Sequence, residues 1–278
     1  MGARYLVDLA DVCRSTGYPV VEVDGWQSRA RGSGGYDSGQ PGHVLVHHTA
    51  SGPSSDGWPD VNYMCFGHQD APCGNLYIAR GGDIYVMAAG AANTNGSGHD
   101  PCGIVPDDGM NSRSIAIEAG NDGVGEPWPT AQQDSYATLV ARLCETYGIG
   151  VDRVHAHHEW APDRKIDPAG PSWWSHGLSE TASWNMDSFR GDVTVRLGAT
   201  PGPIPPTTGD DMAEKILVRT TDGMPWVTDF ASYATQITED QAARGRDMRG
   251  YSVGPDGGPW PLDEQDSDLM VRLRSGDF

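Results

Sequence analysis

Positive charge is what this sequence has least of. Its 19 Lys and Arg stand against 38 Asp and Glu, a formal net charge of -19. A nucleic-acid backbone needs clustered cations to displace its counterions, so the balance argues against nucleic acid as a partner and gives little attraction to anionic membranes. Long apolar runs are missing too. Residues 1–13 carry Arg4, Asp8 and Asp11 among their apolar positions, which argues against a signal peptide or membrane insertion and predicts a chain made and kept in a cytoplasm. Cysteine is scarce and odd in number: five, at 13, 65, 73, 102 and 144, with no CxxC pair. A complete disulfide framework is excluded, and a cysteine zinc knuckle is disfavoured. Reduced cysteines filling buried gaps are expected, with a bridge from Cys65 to Cys73 or Cys102 left open for an oxidising space.

What is abundant is turn-forming residue. Gly 37 and Pro 20 in 278 residues predict a globular chain with long loops. Leu6, Leu9, Ala10 and Cys13 recur at helical spacing and predict a short helix over 4–16, ended by Gly17. Residues 20–23 read as a strand and 25–42 as a loop. The run 44–46 is continuously apolar, as a buried strand is, and delivers His47 and His48 at its end. A short helix is expected near 61–66, and 76–79 with 84–88 form a hairpin. Residues 90–111 make a loop of a length that compact domains usually keep for function. Then come a buried strand over 114–118, the clearest helix over 129–148 with Thr130 as cap and Gly148 as end, a strand over 151–157, and a helix over 185–197.

Residues 200–211, rich in Pro, Gly and Thr, suit neither a helix nor a central strand and read as a stiff linker. They divide the chain into a domain over 1–199 and a small C-terminal module over 212–278. Strand candidates at 216–219, 226–228, 251–253 and 269–273 make that module β-rich or α+β. The fold class of the first domain is α/β.

The densest chemistry lies in 157–168, His-His-Glu-Trp-Ala-Pro-Asp-Arg-Lys-Ile-Asp-Pro. A catalytic zinc takes three protein ligands and keeps a fourth position open, and two histidines with a carboxylate are a suitable set. His157 and Asp167 converge if the segment between them loops back, and His47 could complete the set from a neighbouring strand. Side chains alternate along a strand, so His48 and His158 are expected on the wrong faces, as structural groups or as supports. His155 shares a face with His157 in a regular strand and is expected to be a structural or supporting histidine. Glu159 is expected in a turn or surface contact. Trp160, Trp173 and Trp174 could stack on sugars, but packing is the default for aromatics. Glu118, a carboxylate ending a buried strand, is costly there unless it is paired or does chemistry.

Three ordered motifs carry a resemblance: Val46-His47-His48-Thr49-Ala50, Ser114-Ile115-Ala116-Ile117-Glu118, and His157-x-Glu-Trp-Ala-Pro-x-Arg-Lys-x-Asp-Pro168. They resemble the zinc-dependent N-acetylmuramoyl-L-alanine amidases of the peptidoglycan-recognition-protein type, most of all the amidase modules of endolysins from phages of actinobacteria. The resemblance covers about residues 5–197. It implies a mixed central β-sheet flanked by helices, a Zn2+ cofactor held by His47, His157 and Asp167, and Glu118 and Lys165 as catalytic groups. Bacterial peptidoglycan would be the substrate, cut between N-acetylmuramic acid and L-alanine, with Asn93 and Trp160 as candidate substrate contacts. Such an enzyme would wait in the host cytoplasm and reach the cell wall on release. Residues 212–278 would then be a candidate wall-binding module, with Trp226, Tyr233, Tyr251 and Trp260 forming either a binding face or the module's own core. Two departures stand out. No Tyr occupies the strand start at Gly74-Asn75, which puts more weight on Glu118, and Thr94 replaces the His of an Ala-Asn-His-Ala-Gly stretch, with His99 as its candidate substitute. The alternative is a non-catalytic peptidoglycan-binding protein of the same fold, against which the full set of five residues argues.

Overall fold

The computed structural model describes residues 4–37, 41–175 and 181–199, and the backbone of five short strands between 215 and 261. A mixed six-stranded sheet organises residues 4–199. Its strands are β1 (Val20–Glu22), β2 (His43–Val46), β3 (Leu76–Ile78), β4 (Ile84–Val86), β5 (Ser114–Ala119) and β6 (Val154–Ala156). They lie in the order β1-β4-β3-β5-β2-β6. Neighbours are parallel throughout except the β3–β4 hairpin, as the turn between its apolar runs requires. The helices are α1 (Leu9–Arg14), α2 (Trp58–Asn62), α3 (Thr130–Tyr147), α4 (His157–Trp160) and α5 (Met186–Arg196).

Strand alternation divides the labour between the two faces of the sheet. Val44 and Val46 of β2, with Ile115 and Ile117 of β5, join the main core beneath Leu139, Val140 and Leu143 of α3. The intervening Leu45 packs instead with Val105, Met110 and Trp160. One face is therefore sealed by helices. The other is covered by α2, its π-helical continuation Tyr63–Gly67, and the long loop over 90–111. Trp128, Tyr136, Trp174, Trp184 and Phe189 lock α3 against α5, with Trp184 and Trp174 centroids 4.6 Å apart and Phe189 at 4.8 Å from Trp174.

Several boundaries differ from the sequence expectations, each for a backbone reason. The first helix begins at Leu9 because Arg4 pairs with Tyr36 and the Leu6 N–H donates to Ala89 O, which holds that segment extended. Thr130 is the first helical residue of α3 and caps nothing; Pro129 precedes it, and its carbonyl accepts from Gln133 N. The strand expected over 151–157 is only Val154–Ala156, since Val151–Arg153 forms a 3-10 turn and His157 opens α4. Asn185 caps α5, its side chain accepting from the N–H groups of Asp187 and Ser188. All five cysteines are free thiols, and Cys13, Cys65 and Cys144 are buried.

The linker over 200–211 and the strand expected at 269–273 lie outside the described residues. Strands β7 (Lys215–Arg219), β8 (Pro225–Thr228), β9 (Thr235–Gln236), β10 (Tyr251–Ser252) and β11 (Trp260–Pro261) form a second sheet, meeting the strands expected at 216–219, 226–228 and 251–253. Among the described residues no helix is long and apolar enough to cross a membrane.

The aromatic lock gives a direct test. Phe189 is 0% exposed. Its replacement by Ala should cost about 3–5 kcal/mol in urea unfolding, because the rings around it cannot close the cavity.

Candidate metal centre

His47 follows β2 directly, and its main chain is pinned from below. The Tyr136 hydroxyl of α3 accepts from the His47 N–H at 2.9 Å and stands 2.8 Å from Ile117 O and 3.0 Å from His47 O, either of which can take its proton. His157 enters from the start of α4. The segment after α4 does loop back, with Arg164 and Lys165 N–H groups donating to Ala161 O. Two histidines hold the returning chain. His158 donates to Asp167 O from its backbone N–H, and its Nδ1 lies 3.2 Å from the same oxygen, while His48 Nδ1 accepts from Ala169 N at 3.1 Å. His48 and His158 thus support the ligand-bearing segment, His158 from the first turn of α4 and not from a strand.

The result is a small triangle of donor atoms. His47 Nδ1 lies 2.9 Å from His157 Nδ1 and 3.1 Å from Asp167 Oδ2, and His157 Nδ1 lies 3.0 Å from the same oxygen. A triangle of this size has a point about 2 Å from all three atoms just off its plane, the ligand distance of zinc. Asn95 supplies the rest of the fit. Its Oδ1 lies 3.1 Å from His47 Nε2, and its backbone O lies 2.9 Å from His157 Nε2. Both acceptors favour Nε2–H tautomers and leave both Nδ1 lone pairs directed at the common point. The Asn95 amide cannot flip without loss, because its Nδ2 donates to Ser114 Oγ, which donates onward to Met110 O.

Electrostatics agree with a ligand set. Burial, reinforced by the neighbouring His157, pushes His47 down to about 4, so it is neutral at physiological pH. Burial opposes the charge on Asp167, but hydrogen bonds from His157 and His47 win and hold its carboxyl well below the usual carboxylate range. Glu118 is the contrast. The β2–β5 register pairs Val46 with Ile117 and so sets His47 beside Glu118. The Glu118 Oε2 is buried without a hydrogen-bond partner. Burial raises its carboxyl well above the ordinary value, Asp167 adds to the rise, and Lys165 opposes it.

A cleft of about 710 Å³ opens over these groups, lined among others by Tyr63, Asn93, Thr94, Glu118, Lys165 and Asp167. Lys165 is half-buried and forms no ion pair among the described residues. Asn93 does line the cleft, with its Nδ2 donating to Asp70 O. Trp160 does not. It is fully buried under Leu45, Val105 and Met110, and its Nε1 donates to Gly96 O, so its expected substrate contact is corrected to a packing role. Thr94 donates to Cys73 O, and His99 is an exposed partner of Asp107 away from the cleft, so it does not substitute for the missing histidine. His155 does not stand behind His157 either, because the strand ends at Ala156; it faces His43 and Asp100. Glu159 pairs with Arg190. Sequence reasoning missed Asn95, whose Gly- and Asn-rich loop carries no periodic signal, and Tyr63, which is 57% exposed at the cleft. Asn95→Ala should weaken zinc binding about 10–100-fold in a chelator-competition titration while leaving the circular dichroism spectrum unchanged, since it removes the Oδ1 that orients His47, whereas the backbone carbonyl that holds His157 remains.

Residues 37–170 match the family described as N-acetylmuramoyl-L-alanine amidase. No curated protein matches the chain. Among solved structures, a crystal structure of an AmpD derivative is 21% identical, with 54% of this chain and 87% of that one covered and a TM-score of 0.43. The N-acetylmuramoyl-L-alanine amidase LysC from Clostridium intestinale is 16% identical, covering 63% and 97% at a TM-score of 0.41. The Ph2119 endolysin from a Thermus scotoductus bacteriophage is 18% identical, covering 55% and 94% at 0.38. These likenesses are distant, and the assignment rests on the family match together with the buried ligand triangle. The match to the N-acetylmuramoyl-L-alanine amidases over residues 37–170, just under half of the chain, and the buried His47, His157 and Asp167 together mark a zinc amidase that acts on the amide joining N-acetylmuramic acid to L-alanine in peptidoglycan.

Proposed function

We propose that the chain is a phage-type endolysin whose amidase domain uses His47, His157 and Asp167 as metal ligands and Glu118 and Lys165 as catalytic groups. The observation that carries the assignment of roles is Glu118 Oε2, buried and unpartnered at the cleft beside the ligand triangle. His47, His157 and Asp167 would hold the zinc, which would supply the Lewis acidity for activating a water near neutral pH and for polarising the scissile carbonyl. Glu118 takes the proton that water loses and returns it to the amine as the C–N bond breaks. Its raised carboxyl suits that exchange, since a base poised nearer to neutrality can both accept and give a proton. Lys165, free of any ion pair among the described residues, faces the negative charge that develops on the carbonyl oxygen. Exposed Tyr63 offers a ring face to the glycan at the rim.

Three features support the endolysin reading. The motifs resemble phage amidase modules, the linker over 200–211 joins the domain to a second strand-forming unit, and five free thiols suit a reducing compartment before release. Residues 212–278 would then hold the enzyme on the wall and raise its effective concentration there. The site of action would be the cell wall, after release from the host cytoplasm.

Purified cell wall digested by the full chain should gain N-terminal alanine amines and no reducing sugar; reducing ends, or binding without product, would defeat the assignment. Glu118→Gln should lower the amine-release rate by about 10²–10⁴-fold with zinc content unchanged. Glu118 must be ionised to accept a proton, so activity falls as pH drops through its raised value. Lys165→Met removes the charge that opposes that rise, and the acid limb of kcat/KM should move to higher pH as kcat falls; an unmoved limb would separate Lys165 from Glu118.

A further inference from the structure

A second group of donor atoms lies at the opposite end of β2. His43 opens the strand, and the register pairing Leu45 with His155 of β6 places both imidazoles on one face, stacked with centroids 5.7 Å apart. Asp100, from the long loop, faces them both. Its Oδ2 lies 3.6 Å from His43 Nε2, and its Oδ1 lies 3.6 Å from His155 Nε2. Cys102 Sγ lies 3.5 Å from His155 Nε2. The His43, His155 and Asp100 side chains are 2%, 3% and 0% exposed.

The two carboxylate–imidazole separations are too long for hydrogen bonds, yet the groups face one another in a dry pocket. Both ring nitrogens of His43 are buried without a hydrogen-bond partner, an expense that a folded protein normally avoids. The same separations suit a metal. Donors about 2.0–2.3 Å from a tetrahedral zinc stand about 3.3–3.6 Å from each other. Asp100 is already oriented as a ligand, because Cys102, Ile104 and Val105 N–H groups hold its carboxylate. Glu159 Oε2 stands 3.6 Å behind His155 Nδ1, the carboxylate–histidine arrangement that orients zinc-binding imidazoles.

We propose that His43, Asp100, His155 and Cys102 form a second, structural zinc site, separate from the catalytic one. Two neutral imidazoles, a carboxylate and a thiolate bring two negative charges, so the loaded site is neutral and can stay buried. Cys102 is exposed and gives the ion its entry path. On binding, its thiol leaves Asp152 O, to which it now donates, turns inward, and releases its proton to solvent. The mixed sulfur, nitrogen and oxygen set suits zinc or cobalt better than calcium or magnesium. Bound metal would fasten the loop carrying Asn95 to β2 and β6, the two strands that lead directly into His47 and His157.

The catalytic ligand set contains no sulfur, so cobalt separates the two sites. Full-length protein should bind two zinc ions per chain, and His47→Ala should still bind one. The cobalt-loaded His47→Ala protein should show a thiolate-to-cobalt charge-transfer band in the near ultraviolet that disappears in Cys102→Ser and persists in Cys73→Ser, the control for the thiol lining the cleft. Cys102→Ser alone should lose about one equivalent of zinc, unfold at a lower temperature, and keep its amide-hydrolysing activity. One zinc per full-length chain, a second equivalent without a thiolate band, or a band that survives Cys102→Ser would each overturn the proposal. Loss of activity on zinc removal bears only on the catalytic site, so the two readings fail independently.

Discussion

The parallel pairing of β2 with β5 on one side and β6 on the other is the constraint on which the rest depends. Pairing Val46 with Ile117 carries His47 to the side of Glu118, and pairing Val46 with Ala156 lets α4 begin at the height where His157 meets His47. A one-residue slip of β2 would turn Leu45 and both of its flanking histidines into the helix-packed core and point Val44 and Val46 at the cleft. The apolar contacts of Val44 and Val46 beneath α3 forbid that slip. Hydrophobic burial on one face thus fixes the position of polar chemistry on the other.

The charged groups at the cleft show how opposite demands are met within a few ångströms. Asp167 is held ionised by two imidazoles, while Glu118, lacking such partners, resists ionisation. Two carboxyl groups with separated affinities for a proton can play separate parts, one as a permanent ligand and one as a proton carrier. Against the overall charge of -19, Lys165 and Arg164 put local positive charge at the cleft.

Much of this could be read from the sequence because it was written in strong local signals. The apolar runs at 44–46 and 114–118 placed β2 and β5, and the hairpin and the long helix ending at Gly148 were equally plain. The ligand triangle was legible because its members sit at the ends of such elements or in the dense 157–168 stretch. What was not legible depended on loops. For Trp160 packing was the default and a sugar contact the candidate alternative, and nothing local could reveal that Leu45 and the loop over 90–111 close over it. Asn95 and Asp100 were silent for the same reason: their roles come from where an irregular backbone passes, and no period in the sequence records that path. The face that His155 would share with His157 in a regular strand is lost because β6 ends at Ala156 and His157 opens α4, a boundary no local pattern marks.

The segment from Asn95 to Asp100 lies against the end of α4, where His99 N donates to Trp160 O and a side chain at Gly98 would collide with the same carbonyl. Asn95 at one end of it touches the imidazoles of His47 and His157, and Asp100 at the other faces His43 and His155. Surface loops ordinarily tolerate insertions and deletions, and their length drifts freely over evolution. This one is a ruler cut to the distance between two clusters. A single residue gained or lost in it would leave one end or the other out of reach, so variation in this part of the chain is confined to substitution at constant length.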